Sequence, residues 1–392
     1  MVDVVVIGAG ISGAATAYNI AGSGMSVMLI DRWGPAAMAS GWTLAGVRQS
    51  GRHAAELPLA QAAVADWEVL ADRLGAPTRY TQQGNLRLAR TDADLAQLAI
   101  MVAEQRQAGL DLVMLDQTAL RDRAPAIAHN VLGASFCPTD GHADPQATVA
   151  AFVAAAERAG AILRFGEAVV AIETDGGRVC AVRTEQGRIH CSRVVMTTGV
   201  MGNALLAPLG LSVPMTPRAV TLLRTAPVAP VLAQVVGVAD ASCAGRQEVD
   251  GRFRFTGAGE PFAGTLDFPD GAVMGDRRAG PRLMPRVSEV ARVADVFGAL
   301  VPAAHAAPLD ECWVGLIDST PDALPVIEAS AAVPGLVLGM GFSGHGFCLG
   351  PVTGRLLAAL ARDEPPNLPI EAFALDRFAG QTASPEALTL HG

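Results

Sequence analysis

The sequence predicts an α/β protein of mixed α/β and α+β character: a Rossmann-like nucleotide-binding fold with a smaller antiparallel β region inserted into it. Three observations predict it. Residues 2–32, VDVVVIGAGISGAATAYNIAGSGMSVMLIDR, read as an apolar strand, a glycine turn, a helix and a second apolar strand closed by Asp31. Residues 162–199 are strand-like, with turn dipeptides between the strands. The late segment GMGFSGHGFCLGPVTG (339–354) repeats the physics of the opening one.

In the opening unit, Gly8 permits a tight strand-to-helix turn. Gly10 lets the backbone approach a pyrophosphate, and Gly13 lets the helix pack closely on the sheet. Ile11 and Ser12 stand at the helix N-terminus, where unpaired N–H groups and the positive dipole end favour phosphate. Asp31 follows Gly8 by 23 residues, an interval that suits a carboxylate accepting ribose hydroxyl protons.

A loop of small residues (34–53) follows, and LPLAQAAVADWEVLADRLG then has helical apolar spacing ending at Gly75. TRYTQQGNLRLAR (78–90) reads as a hairpin pair of strands. DADLAQLAIMVAEQRQAG (92–109) has the acidic first turn and terminal glycine of a helix. Asp144 and Pro145 supply an N-cap and N1 proline for another, running to Ala159. Asp175-Gly176-Gly177 and Gln186-Gly187 then turn a small β-meander. Residues 216–270 carry further short strands, including GRFRFTG, and 287–302 return to helix. The end reads as a strand (335–341), a glycine-rich loop, a helix from Pro351 to Arg362 preceded by Gly350, and a frayed tail after Phe378.

Composition narrows the function. The 392 residues are 51% hydrophobic and 17% charged, which suits a large buried core. A net charge of −9 argues against a nucleic-acid partner. No apolar stretch reaches the ~18 residues that cross a bilayer, and a strand beginning at Val2 leaves no room for a signal peptide, so a cytoplasmic protein is expected. The six cysteines have no CxxC or His/Cys spacing, so no metal is expected. All 29 basic residues are arginine. Without lysine the chain has no Schiff-base nucleophile.

GAGISG with Asp31, ASGWTLAGVRQ, VVMTTG, STPDALPVI and GFSGHGF together resemble the D-amino acid oxidase superfamily of FAD enzymes, in particular sarcosine and glycine oxidases and the β-type subunits of sarcosine, opine and proline oxidases or dehydrogenases. The resemblance covers nearly the whole chain. It implies a GR2-type FAD-binding domain assembled from 1–77, 141–215 and 306–392, with a substrate domain from 78–140 and 216–305. It also implies residue roles. Gly8, Gly10, Ile11, Ser12, Gly13 and Ser40 would serve the pyrophosphate, and Asp31 with Arg32 the adenosine ribose. Val169 would touch adenine, and Thr198 and Gly199 the ribityl side. Gly46, Val47 and Arg48 would lie near the isoalloxazine, with Gly344, His345, Gly346 and Phe347 near flavin O2.

The implied reaction oxidises a C–N bond of an amino acid or secondary amine by hydride transfer to flavin N5, and the imine hydrolyses. A guanidinium fork suits a substrate carboxylate, and Arg48 is the first candidate. Arg252 and Arg254 alternate with Phe253 and Phe255, so Arg254 is a second arginine able to point inward. His345 is a candidate to polarise substrate or flavin. Gln83, Asn85 and Gln247 are polar candidates for a substrate side chain. Where sarcosine oxidases carry a lysine after GFSGHGF, this chain has Cys348, and the lysine that activates oxygen in them is also absent. A dehydrogenase is therefore favoured, passing electrons to a quinone or a partner subunit rather than to oxygen. FAD is expected to be non-covalent, because aligning on Thr320-Pro321-Asp322 puts Gly315 at the family's linking cysteine. The alternatives are a peroxide-forming sarcosine-type oxidase, a catalytic subunit within a hetero- or homo-oligomer, and a pyridine-nucleotide dehydrogenase.

Overall fold

The computed structural model describes residues 1–266 and 283–379. The opening valine run forms strand Val4–Ile7, buried throughout. It lies between Val27–Asp31 and Arg193–Met196, parallel to both. Ile162–Phe165 and Leu336–Met340 extend this sheet in parallel on either side, and Val326–Ala329 adds an antiparallel edge. A continuous apolar strand is what a sheet covered on both faces requires. One face packs on the helices Ile11–Ala21, Leu57–Leu74, Pro145–Arg158 and Gly346–Ala361, around Trp67 and Phe152. The other carries the meander Val169–Asp175, Arg178–Thr184 and Gly187–His190.

The turn and cap chemistry accounts for most of these boundaries. Gly75 closes its helix in the left-handed region at φ 61°. Thr91 and Asp94 form a reciprocal capping box at the start of Asp92–Gln107. The Asp144 carboxylate accepts the Ala147 N–H at 2.9 Å.

A second sheet has nine strands among the described residues. Thr216–Thr225 pairs with both Phe253–Gly257 and Leu309–Ser319. Val235–Val238 pairs in parallel with Asn85–Ala89, joining the early and late segments of the chain into one layer. Helix Val287–Gly298 covers its outer face, where Phe255 and Phe297 stack at 4.8 Å.

Three expectations require correction and two fall outside the described residues. The hairpin expected over 78–90 is a single strand, Asn85–Ala89, plus an isolated bridge from Thr81 to His142. Gly84 breaks the run, turning at φ 88° against Phe136. Leu309–Ser319, expected in the nucleotide-binding part, is a strand of the large sheet, because it finds its ladder along Thr216–Thr225. The closing helix starts at Gly346, not Pro351. Pro351 in its second turn forfeits only the bond to the Phe347 carbonyl. Gly350 and Gly354 are packing residues: a Cβ there would lie 2.6 Å from Ile11 Cγ2 and 2.4 Å from Ala15 Cβ. The frayed tail expected after Phe378, from 380 onward, lies outside the described residues, as do residues 267–270 of the strand-rich segment.

Candidate functional site

A cleft of about 1390 Å³, partly open to solvent, runs between residues of the two sheets. Its floor includes the first turn of helix Ile11–Ala21 and the first turn of helix Gly346–Ala361. Two helix N-termini, one from each end of the sequence, therefore open into one space. Its roof is the large sheet, with Leu222, Val236, Gly237 and Gly315. At Gly46, Gly199 and Gly237 an added Cβ would meet nothing within 4 Å, so the backbone is bare toward open space.

The glycines of the opening turn divide by role. A Cβ at Gly8 would lie 2.4 Å from the Thr197 carbonyl oxygen, and one at Gly13 would lie 1.9 Å from that of Gly8. These two shape the turn and do not line the cleft. Gly10 does, and Ser40 Oγ beside it accepts the Ile11 N–H at 3.0 Å. Asp31 accepts N–H groups of Ala9, Trp33 and Gly34 at 2.7, 2.8 and 2.8 Å. Burial nonetheless pushes its carboxyl up, against the pull of those bonds. Asp31, Arg32, Val47, Val169 and Thr198 stand outside the cleft lining, whereas Ile11, Ser12, Gly46, Gly199 and Gly344 to Phe347 belong to it.

One end of the cleft is strongly charged. Arg48 lines it, joined by Arg52 and Arg87. A Cβ at Gly51 would lie 2.5 Å from Arg87 Nη2 and 3.1 Å from Arg48 Nη1, so both guanidinium groups flank one glycine. Gly51 has φ 67°, a conformation that favours glycine. Arg48 Nη1 donates to the Ser50 carbonyl. Arg52 Nη1 is buried with no hydrogen-bond partner. Burial and mutual repulsion push Arg48 well below the usual arginine range and Arg87 down to about 10. Two carboxylates answer them. Asp140 accepts the Gln49 N–H at 2.8 Å and the Ser50 hydroxyl, fixing the loop that carries Arg48. Burial raises Asp140 against those bonds.

Glu56 is the other carboxylate. It is fully buried and lies 3.0 Å from His345 Nδ1. Burial would raise Glu56, but His345, Arg52 and Arg48 outweigh it and hold the carboxyl at about 2. Burial and the repulsion of Arg52 and Arg48 bring His345 down to about 4, against the pull of Glu56. The pair at neutral pH is thus a carboxylate and a neutral imidazole. An acceptor-only carboxylate requires the imidazole proton on Nδ1. Nε2 is then a bare lone pair, buried and without a partner, on a residue that lines the cleft.

Arg254 is a correction. It stands outside the cleft lining, and its guanidinium donates to the Thr43 carbonyl at 2.9 Å and pairs with Glu248 at 2.7 Å. Arg246 lies beside it, donating to the Leu44 carbonyl at 2.6 Å, so these arginines brace the 43–44 loop against the sheet. Gln247 accepts N–H groups of Val231 and Leu232 and is structural; Gln83 is exposed, and Asn85 reaches the cleft. Asp318, also unanticipated, lines the cleft and accepts the Gly341 N–H at 2.8 Å; burial pushes it up to about 6.

A family model described as FAD dependent oxidoreductase, the D-amino acid oxidase group, matches residues 3–360. The chain belongs to this family. It is 26% identical over 97% of its length to 4-methylaminobutanoate oxidase (formaldehyde-forming) of Paenarthrobacter nicotinovorans, and spans 46% of that protein. Its fold is that of glycine oxidase from Geobacillus kaustophilus, with a TM-score of 0.88 at 24% identity, covering 97% of this chain and 99% of that one. L-proline dehydrogenase from P. horikoshii gives 0.86 at 24% identity, with 96% and 97% covered. The flavoprotein family's cofactor finds matching features here: two helix N-termini that open into one cleft, and bare glycines over open space. Among the described residues no helix is long and apolar enough to cross a membrane.

Proposed function

We propose that this flavoprotein oxidises the C–N bond of a carboxylate-bearing amine. The carrying observation is the buried end of the cleft, where an imidazole with a free Nε2 stands among arginines. Gly10, Ser12 and Ser40 would hold the pyrophosphate of FAD, with Asp31 at the ribose. Gly199 would pass the ribityl chain, and the Gly344–Phe347 turn would meet the flavin's O2 edge through its helix dipole. When bound, FAD supplies a hydride acceptor.

The chain's own residues do the rest. Arg48 and Arg52 hold the substrate carboxylate, fixing which carbon faces the cofactor. His345 Nε2 accepts a proton from the substrate ammonium, so that the nitrogen lone pair can assist hydride departure. Glu56 stabilises the imidazolium that results. The apolar roof, Val220, Leu222 and Val236, excludes water until the imine leaves and hydrolyses.

The same reading favours non-covalent FAD and an acceptor other than oxygen. Gly315 lines the cleft, as do Leu316, Ile317 and Asp318 of the same strand, whereas Cys312 packs against the outer-face cluster around Phe253 and Phe297. The cations of the cleft are arginines that already face Glu56 and Asp140. Six free thiols suit a reducing, cytoplasmic compartment. The test is to denature and ultrafilter the yellow holoprotein, then compare dye reduction with peroxide formation on the same amine. Flavin in the filtrate with dye reduction well above peroxide yield supports the reading. Flavin retained on the protein, or stoichiometric peroxide, contradicts it.

A further inference from the structure

Glycine at position 237, in the roof strand Val235–Val238, is not required by the fold. Its φ lies outside the left-handed region, and a Cβ added there would meet nothing within 4 Å. Gly245, on the neighbouring strand Cys243–Gln247, is the opposite case: a Cβ there would lie 2.3 Å from the Phe297 ring. Glycine weakens a strand interior, so one without a packing reason marks a place that something else approaches closely. Gly237 pairs with Arg87 on one side and Ala244 on the other; Ala244 pairs with Thr256, and Thr256 with Leu222. These residues form one row across the roof and line the cleft, while their strand neighbours Leu86, Cys243, Phe255 and Leu223 turn to the outer-face cluster.

The row begins at the charged end, because the Arg87 guanidinium flanks Gly51 beside that of Arg48. From Gly237 to Leu222 it then crosses three strand spacings, about 14 Å, without a charged side chain. Its one hydroxyl, on Thr256, donates to the Thr221 carbonyl at 2.9 Å. Asp318 lies opposite Pro217, five positions before Leu222 on that strand, so it stands about 16 Å off the row. At the charged end, Arg52 Nη1 and His345 Nε2 point to a ligand: each is buried without a partner, on a residue lining the cleft that is 7% or 4% exposed. We infer that Gly237 and Ala244 set substrate size, opening an uncharged slot that takes a bulky apolar substituent of the amine while its carboxylate stays at Arg52. This rests on the reading of the cleft as an amine-oxidising site. A charged substituent would lose its water against a row that offers it no partner. A small one, as in N-methylglycine, leaves the slot unfilled.

The test uses the FAD-loaded protein and ligands without an amine, so that binding is read apart from turnover. Propanoate and 3-phenylpropanoate are titrated by calorimetry. Racemic alanine and phenylalanine, each with and without an N-methyl group, are compared as substrates. Burying one aromatic side chain is worth about tenfold or more in affinity. 3-Phenylpropanoate is expected to bind at least about tenfold more tightly than propanoate, and the phenylalanine compounds to show the higher kcat/KM. In Gly237→Val both gaps are expected to shrink to about threefold or less, with Gly237→Ala intermediate; Ala244→Leu, which fills the neighbouring position, should shrink them as well. Equal affinity for the two acids in the unaltered protein would overturn the inference, and needs no variant to fold. A gap that survives in both Gly237→Val and Ala244→Leu would also overturn it. Oxidation of the alanine and phenylalanine compounds without preference removes this inference and leaves amine oxidation standing. Selective binding of 3-phenylpropanoate with no amine oxidised does the reverse.

Discussion

His345 Nδ1 lies 3.0 Å from Glu56 Oε2, although the two residues are 289 positions apart in the chain, and both groups are buried. The contact sets the imidazole tautomer, and so decides whether the cleft meets a lone pair or an N–H. In Glu56→Gln the amide can donate to Nδ1, placing the imidazole proton on Nε2. The anaerobic flavin-reduction rate at saturating substrate is expected to fall by about 100-fold, the scale of a lost general base. Glu56→Asp should recover part of it. A loss of under threefold would remove the dyad from the mechanism.

Arg48 and Arg52 are distinguishable by their partners. Arg48 Nη1 is held by the Ser50 carbonyl, whereas Arg52 Nη1 has no protein acceptor. Arg48→Ala is expected to weaken substrate binding while retaining FAD, and Arg52→Gln to weaken it further, by about tenfold or more relative to the unaltered protein. Binding constants from flavin difference spectra check this; a larger loss at Arg48 than at Arg52 would reverse the assignment.

Asp318 and His345 give opposite pH dependences of stability in one window. Asp318, pushed up to about 6, keeps its proton in the folded state where the unfolded chain has lost it, so stability falls as pH rises from about 4 to 6. His345, brought down to about 4, stays neutral where the unfolded chain is charged, so stability rises with pH from about 4 to 6.5. The two slopes offset. Asp318→Asn removes the first, and should stabilise the protein by about 3 kcal/mol above pH 6, with no gain below pH 4. Denaturant unfolding across this range measures the difference; a pH-independent effect would refute the assignment.

Gly350 lets the closing helix approach Ile11, within a turn of the cleft floor. Gly350→Ala overpacks that contact and should cost about 1–3 kcal/mol of stability. Because the opening helix carries Gly10 and Ser12, FAD affinity should fall with it. Thermal unfolding of apo and holo forms separates the two effects, and an unchanged midpoint in both would mean the helices are not in contact.

The nucleotide-binding half was legible because its determinants are local: a valine run, glycines at fixed spacing, an acid after the second strand, and caps such as Thr91 and Asp144. Gly46, Gly199 and the Gly344–Phe347 turn were found through motifs, and they do meet in one cleft. The charged end was less legible. Asn85 and Arg87 alternate in NLRLA and so share a face, and Arg52 follows Arg48 by one helical turn's spacing, signals present in the sequence. Nothing local marks Glu56 or Asp140, whose roles arise only when the 48–56 loop, residue 140 and the closing helix converge. Arg254 misled for the same reason. A basic strand face says nothing about whether a carbonyl such as Thr43 will already occupy the guanidinium.

The measurement that bears most directly on the central claim is anaerobic mixing of the FAD-loaded protein with a panel of carboxylate-bearing primary and secondary amines, followed by flavin absorbance. The account predicts that at least one member bleaches the yellow chromophore rapidly, and that Glu56→Gln slows that bleaching by about two orders of magnitude. A protein that binds no flavin, or a flavin left oxidised by every amine in the panel, would contradict it.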